Sequence, residues 1–251
     1  MASPAGTEPD TRCYVVAGGA GVVGECVVRA LIDHGARVAV PSRSHERFDA
    51  LRDRIASPNL HGFVADVTDL DSATALETEI TGTLGPIDGV VATIGGWWAG
   101  PHLASLDIRT WHEMVNSHLT SHFVVARAFL PALADRTESV YVTTGGIAAV
   151  HPEPGSGPVS ITGAAQAMMM RVLAAELAGR AVRVHEVDIY TPVVTDRWDD
   201  SEIQPDWLTG RDVGDYIAGV LRPGFPDAGS LFLSLPDDSA RQRATRAEPY
   251  R

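Results

Sequence analysis

Lysine is missing from this chain. All 20 of the residues counted as Lys or Arg are arginine, a bias that a GC-rich coding sequence produces and that most surface positions tolerate. An arginine guanidinium does not replace an ammonium where a site needs a compact charge with a movable pKa. The absence therefore excludes chemistry that depends on a lysine amine.

Cysteine and long apolar runs are also scarce. The two cysteines, Cys13 and Cys26, have no metal-type spacing and do not make a disulfide framework. No apolar run reaches the roughly 18 residues of a transmembrane helix, and residues 1–12 lack the apolar core of a signal peptide. We therefore expect a cytoplasmic, soluble protein with no membrane partner.

Positive charge is in deficit, and two kinds of catalytic motif are absent. The formal net charge of -12 argues against nucleic acid as a partner, because nucleic acid attracts basic surfaces. The sequence contains no metal-ligand spacing and no Gly-x-Ser-x-Gly elbow. We therefore expect no metal cofactor and no hydrolase of the serine type.

What the chain does have is an alternation of apolar runs and helical segments. We expect strands at residues 13–17, 37–40, 62–65, 89–94, 139–143, 182–189 and 230–235, and helices at 24–34, 46–55, 73–83, 110–134 (interrupted near Pro131) and 160–177. This alternation predicts an α/β fold: a Rossmann-type, doubly wound parallel sheet of about seven strands with helices on both faces. A single domain is expected over residues 12–235, with a disordered lead at 1–11 and a polar tail at 236–251.

The first turn is rich in glycine. Gly19, Gly21 and Gly24 form a Gly-x-Gly-x-x-Gly pattern directly after the first strand, where the next helix begins. Such a turn lets a pyrophosphate approach the backbone and the positive end of the helix. We therefore expect a dinucleotide at Gly18, Gly21, Val23 and Gly24; a tight turn with no ligand is the alternative.

The same turn resembles the Thr-Gly-x-x-Gly-x-x-Gly variant of the short-chain dehydrogenase/reductase family, with Ala17 in the place of the threonine. Val22 stands where the common form has glycine, and we expect it to add bulk near the phosphates. Of the family's Asn-Asn-Ala-Gly ending of strand four, Gly95 is kept. Residues 171–177 match the family closely, and the resemblance covers residues 13–235. It implies a nicotinamide cofactor and hydride-transfer chemistry.

The end of the second strand bears on which cofactor is used. The segment from Val40 to Ser44 contains Ser42 and Arg43 but no acid, which favours NADP(H) over NAD(H), with Arg43 holding the 2′-phosphate. A solvated surface arginine is the alternative. Asp66 and Val67 resemble the family's pair beside adenine, although Asp66 could equally cap the next helix.

The resemblance also implies that the family's catalytic tetrad of Asn, Ser, Tyr and Lys is degenerate in this chain. The family's Tyr-x-x-x-Lys positions fall on Val159 and Gly163, and no tyrosine lies between Tyr141 and Tyr190. Thr144 keeps a hydroxyl in the place of the catalytic serine. His118 stands in the place of the catalytic asparagine.

Three residues are candidates for the missing proton donor. Histidine side chains exchange protons near neutrality, which makes His118 a candidate, but a helix histidine with a satisfied hydrogen bond is the alternative. His151 lies in the loop after strand five, where it could border the cleft or simply face solvent. Tyr190 follows strand six, but no cation is evident that would lower its pKa. Trp97 and Trp98 could form an aromatic wall for a substrate or pack into the core.

The interpretation we favour is an atypical NADP(H)-linked oxidoreductase that acts on a carbonyl or hydroxyl group of a small molecule. One alternative is a catalytically silent partner subunit of an active homologue. Another is a non-redox isomerase, cyclase or dehydratase on the same scaffold. By the resemblance, we expect a homo-oligomer (dimer or tetramer) or a hetero-oligomer with an active homologue.

Overall fold

A computed structural model describes residues 11–196 and 198–236. Its strands are β1 (Cys13–Ala17), β2 (Arg37–Ser42), β3 (Leu60–Val64), β4 (Gly89–Ala92), β5 (Val140–Gly146), β6 (Arg183–Ile189), β7 (Val193–Val194), β8 (Leu208–Thr209) and β9 (Phe232–Leu235). Seven of them form one parallel sheet in the order β3-β2-β1-β4-β5-β6-β9, and β7 pairs with β8. The predicted doubly wound Rossmann-type sheet is confirmed.

Helices cover both faces of the sheet. They are α1 (Val22–Asp33), α2 (His45–Arg54), α3 (Leu70–Leu84), α4 (Ile108–Val115), α5 (Ser121–Leu133), α6 (Gly157–Glu176) and α7 (Gly210–Val220). Helices α1, α2 and α7 contribute to one apolar core, and α3, α5 and α6 to the other. The central strands lie between these cores, which is why β1 reads as a continuous apolar run rather than an alternating one.

The strand order reverses at β1, and this places the cleft. From β1 the chain runs outward through β2 to β3 and then returns to the other side of β1, where Tyr14 pairs with Gly89 of β4. A crevice opens at the carboxyl ends of the strands where such an order reverses, and ligands of open α/β sheets bind there. The glycine turn after β1 lies at this point.

The long helix expected at residues 110–134 is divided, but not at Pro131. Helix α4 ends at Val115, a π-helical turn covers residues 116–120, and α5 continues through Pro131 to Leu133. Pro131 has no N–H to donate to the carbonyl of Arg127, so one intrahelical hydrogen bond is lost in the last turn of α5 without ending the helix there. The π turn places His118, and such turns frequently occur at functional sites.

Helix α7 and the short β7–β8 pair were not expected from the sequence. The Thr209 side chain accepts from the backbone of Asp212, whose carboxylate accepts from the Thr209 backbone, so a capping box begins α7. The expected lead and tail lie outside the described residues, apart from Thr11 and Pro236. Among the helices within the described ranges, none has the length and hydropathy needed to traverse a lipid bilayer.

Candidate active site

The glycine turn has a geometry that only glycine accommodates. Gly18 has a φ of +85°, and a Cβ on it would lie 2.3 Å from the carbonyl oxygen of Thr93. A Cβ on Gly24 would lie 2.2 Å from the carbonyl oxygen of Gly18. Gly21 is the N-cap of α1 and provides no side-chain cap, so backbone N–H groups of the first helical turn are left for a ligand.

A cleft of about 350 Å³ opens in front of this turn. Most of the predicted cofactor residues lie in its wall: Gly18, Gly21, Ser42, Arg43, Asp66, Val67 and Gly95. Arg47, Thr68, Trp97, Trp98, Ser117 and His118 complete much of the rest. The structure therefore brings together the glycine turn, the ends of β2 and β3 and the loop after β4.

Val23 and Gly24 do not line the cleft. The side chain of Val23 packs against the apolar core, and Gly24 is buried where α1 crosses Gly18. Val22 lines a different groove, of about 580 Å³, between α1 and α7. The expectation that Val22 adds bulk near the phosphates is therefore wrong, because its side chain leaves the helix toward α7.

Two arginines stand at the end of β2. Arg43 and Arg47 are both exposed and both line the cleft, whereas Ser42 is buried beneath them. Ser44 is the N-cap of α2 and accepts from the Arg47 backbone N–H (3.5 Å), which places Arg47 in the first turn of that helix. Sequence reasoning missed Arg47. Its position three residues after a serine N-cap was the available signal.

Asp66 is held in a turn at the cleft wall. Its Oδ1 accepts from the backbone N–H of Thr68 (2.9 Å) and from the Thr68 hydroxyl (2.8 Å). These bonds, together with the positive charge of Arg43, lower the pKa of Asp66. Helix α3 is instead capped by Asp69, which accepts from Ser72 N–H. The alternative that Asp66 caps the next helix is therefore wrong.

His118 lies at the far end of the cleft, and both of its ring nitrogens have partners. Nε2 is 3.0 Å from the carbonyl oxygen of Gly96, and Nδ1 is 2.8 Å from the hydroxyl of Ser117. Because a carbonyl only accepts, Nε2 carries the hydrogen. Gly95 (φ +97°) passes so close that a Cβ there would lie 2.9 Å from the imidazole ring. A proton-donor role for His118 requires it to exchange one of these partners for substrate.

A second histidine, which sequence reasoning missed, holds the same loop. His122 is fully buried one turn further along, in α5, and its Nε2 is 3.1 Å from the carbonyl oxygen of Ile94. Burial lowers the pKa of His122 to about 4, so its ring is neutral at physiological pH. The i,i+4 spacing of His118 and His122 was the signal, since such residues share a helix face.

Thr144 stands in the last part of β5, outside the lining of the cleft. It is half-buried, and its carbonyl oxygen accepts from Nε2 of Gln166 in α6 (3.1 Å). The neighbouring Thr143 is buried and faces α6 and β6.

The remaining proton-donor candidates also lie outside the lining. His151 Nδ1 is 3.3 Å from Glu153 Oε1 in the loop after β5. Tyr190 is buried, and its hydroxyl is 3.4 Å from Asp188 Oδ2. Of the four predicted catalytic residues, the structure places only His118 in the wall of the cleft.

Val159 and Gly163 occupy the first turns of α6. A Cβ on Gly163 would lie 3.1 Å from Cβ of Ala149, so the turn after β5 closes on this position. One turn deeper, Gln166 contacts Glu186 of β6. Glu186 and Asp188 are a pair of buried acids on that strand that sequence reasoning also missed. Within the described ranges, no group of three or more His, Cys, Asp or Glu side chains converges as a metal site would require.

Comparison with known proteins defines the class. The profile of the family described as short chain dehydrogenase matches residues 12–202, and the chain belongs to this oxidoreductase family. It is 29% identical to an uncharacterized oxidoreductase of Mycobacterium tuberculosis, over 93% of this chain and 95% of the relative. It is 32% identical to the acetoacetyl-CoA reductase of Synechocystis, over 71% of this chain and 70% of that enzyme.

Among solved structures, one neighbour is the NADPH-bound short chain oxidoreductase of Pseudomonas aeruginosa, which is described as containing an atypical catalytic center. It has a TM-score of 0.76 and 25% identity, covering 90% of this chain and 97% of the neighbour. The family's fold therefore also accommodates an altered catalytic centre.

Proposed function

We propose that this protein is an NADP(H)-linked oxidoreductase that acts on a carbonyl or hydroxyl group of a small molecule without a tyrosine–lysine pair. The observation that carries the proposal is the pair of arginines, Arg43 and Arg47, at the end of β2 in the cleft wall. Among the described residues that line the cleft, the single acid is Asp66, which lies in the turn after β3 rather than at the end of β2. A 2′-phosphate suits such a cationic end, whereas an NAD-type site places a carboxylate there.

The residues present fit a dinucleotide. The free N–H groups at the start of α1 and the missing Cβ of Gly18 provide a cradle for a pyrophosphate. Arg43 and Arg47 would hold the 2′-phosphate, and Asp66 and Val67 would border the adenine. The bound nicotinamide would supply or accept the hydride. The NADPH in the Pseudomonas aeruginosa neighbour supports this assignment.

The protein's own part in the reaction is to orient and protonate. In this proposal the substrate extends beyond the lining of the cleft to the end of β5, where the Thr144 hydroxyl donates to the substrate oxygen. His118 is the proton donor once its Nε2 leaves the Gly96 carbonyl. Trp97 and Trp98 line the cleft beside His118, and their rings favour a substrate with an apolar or aromatic face.

Calorimetric titration with NADPH and with NADH tests the proposal. We expect NADPH to bind more tightly, and Arg43→Ala or Arg47→Ala each to weaken NADPH about tenfold (about 1.4 kcal/mol) while leaving NADH unchanged. Arg52→Ala is the matched control, because Arg52 is exposed on the same helix but pairs with Asp49 rather than lining the cleft. Equal affinities for the two cofactors, or no heat with either, would contradict the proposal.

A second candidate function is that of a silent partner subunit, and one observation favours it. Helices α5 and α6 carry exposed apolar side chains: Phe123, Ile161, Met168 and Val172. Such a face suits a second family member as well as a second copy of this chain, and we propose oligomerisation through it. Mass measurement of Met168→Arg beside the wild type tests the surface. NADPH oxidation by a pure homo-oligomer with a carbonyl panel would exclude the silent role.

A further inference from the structure

Strand β6, which lies between β5 and the edge strand β9, carries two buried carboxyl groups. Glu186 and Asp188 are only 1% and 4% exposed, and acids are almost never buried so deeply without compensation. Residues two apart on a strand share a face, so both point toward α6, where Gln166 contacts Glu186. Glu186, Asp188 and Tyr190 form a row of side chains that runs toward the carboxyl end of the sheet, with Tyr190 beside the end of β5.

The two oxygens of Glu186 have different surroundings. Oε2 accepts from the Thr143 hydroxyl and from Gln166 Nε2, both at 3.1 Å. Oε1 is buried and has no hydrogen-bond partner among the described residues. Instead, Oε1 and Asp188 Oδ1 converge beside Gly145, where they lie 2.9 and 2.3 Å from the point that a Cβ would occupy. Glycine at 145 thus leaves the space in which the carboxyl groups meet.

The charges around Glu186 favour its neutral form. Burial and the negative charge of Asp188 raise the pKa of Glu186 to about 7, against the hydrogen bonds from Gln166 and Thr143 and a weaker attraction to Arg171 of α6. Arg171 itself lies over the ring of Phe232 on β9, 4.5 Å from its centroid. Tyr190 is the other titratable group in the row. A neutral Glu186 carries a hydrogen, and this hydrogen can lie on Oε1, the oxygen that has no hydrogen-bond partner among the described residues.

We propose that Glu186 is a positioning residue for the proposed oxidoreductase reaction. As the neutral acid it donates from Oε1 to Asp188 Oδ1, and the fixed Asp188 in turn accepts the hydroxyl hydrogen of Tyr190 through Oδ2. The row thereby holds the polar groups beneath the end of β5, whose Thr144 carbonyl is bonded to the same Gln166. The positioning role of Glu186 rests on the proposed function, whereas the proton shared by Glu186 and Asp188 does not depend on that function.

The shared proton is tested first, by denaturant unfolding over a range of pH without cofactor. Because the folded-state pKa of about 7 exceeds the unfolded value of 4.5, stability from Glu186 is present below pH 4.5 and is lost as pH rises to about 7. Glu186→Gln keeps a donor at every pH. We expect the wild type to take up about one more proton than E186Q on folding near pH 6; parallel stability curves would overturn the proposal.

A pair of glycine variants tests the convergence of the carboxyl groups. Gly145→Ala inserts a Cβ between the two oxygens and should reduce the extra proton uptake, because separating the carboxyl groups weakens the effect of Asp188 on Glu186 while the effect of burial remains. Gly146→Ala is the matched control, because its Cβ would approach nothing nearer than the Ile189 carbonyl oxygen at 3.4 Å. Proton uptake that G145A leaves unchanged, or that G146A reduces equally, would show that the pair does not share a proton.

The positioning role is tested by turnover. We expect the kcat of the wild type to fall as pH rises through about 7, the kcat of Glu186→Gln to stay level over that range, and Glu186→Leu to lose kcat at every pH, with KM for NADPH unchanged. Identical kcat profiles for the wild type and E186Q would overturn the role. If the wild type neither binds nor oxidises NADPH, the proposed function fails, whereas the unfolding titration still decides the acid pair.

Discussion

The half of the sheet at residues 13–95 and the half at residues 140–190 are built in different ways. In the first, which we call the nucleotide half, backbone geometry determines the site: Gly18 and Gly24 pack without Cβ atoms against main-chain atoms. In the second, the catalytic half, side chains determine it, through a network of Thr143, Gln166 and Glu186.

This difference bears on the resemblance seen in the sequence, which keeps the glycine turn of the family and implies a change at its Tyr-x-x-x-Lys positions. Phosphates are recognised by main-chain N–H groups, so few substitutions in the glycine turn are compatible with the fold. Proton handling depends on side-chain pKa values, which neighbouring residues can reset. The catalytic half can therefore exchange one set of polar residues for another without disturbing the sheet.

The largest effect that we expect is a loss of folding stability in the nucleotide half when a glycine of its turn is replaced by alanine. Gly24→Ala places a Cβ 2.2 Å from the Gly18 carbonyl oxygen, so we expect a loss of about 3 kcal/mol of unfolding free energy together with loss of NADPH binding. Gly82→Ala in α3, where no atom lies within 4 Å of the added Cβ, should instead gain about 0.5–1 kcal/mol. Urea unfolding measures both, and a G24A protein as stable as the wild type would refute the close packing.

His122 holds the loop after β4, which joins the two halves. We expect this contact to make the stability of the protein fall in acid. Burial holds the folded-state pKa of His122 at about 4, below the ordinary histidine value of 6.5, so stability is lost as pH falls from about 6.5 toward 4. The loss amounts to at most about 3 kcal/mol. His122→Gln removes the titration, and denaturation midpoints across this pH range measure it.

The sign for His122 is opposite to that for Glu186, and the two slopes offset each other between about pH 4.5 and 6.5. We therefore expect Glu186→Gln to expose the acid sensitivity of His122. A His122→Gln variant whose acid sensitivity matches that of the wild type would contradict the neutral buried imidazole.

The catalytic half should tolerate an exchange of like for like, and this is the smallest effect. Thr144→Ala removes the hydroxyl proposed to orient the substrate oxygen, and we expect kcat to fall about 10-fold to 100-fold. Thr144→Ser keeps the hydroxyl and should stay within about threefold of the wild type. Steady-state NADPH oxidation measures both variants. Equal rates for T144A and the wild type would remove Thr144 from the reaction.

The parts of the fold that the sequence predicts are those with local signals. A continuous apolar run followed by spaced glycines indicates β1, the turn and α1. Burial on both faces of the sheet requires the apolar run, and close backbone packing requires the glycines. The capping box at Thr209 and Asp212 was a local signal too, although α7 was not predicted from it. The π turn at residues 116–120 has no comparable mark, since it extends an ordinary helical pattern.

The acid pair shows why part of the site could not be predicted. Glu186 and Asp188 lie two apart in a predicted strand, so the sequence places them on one face of the sheet. Which helix covers that face, and that Gly145 of the neighbouring strand leaves room between them, depends on tertiary packing. Gln166, which lies 20 residues from Glu186 in the chain, becomes its partner only when α6 packs on β6.

The position of Trp97 gives this protein a built-in optical reporter. Its indole is 66% exposed at the wall of the cleft, with Trp98 half-buried beside it. Reduced nicotinamide absorbs light at the wavelengths where tryptophan emits. Occupancy of the cleft by NADPH should therefore quench the indole emission and excite that of the coenzyme, so that binding can be followed without a label and without turnover.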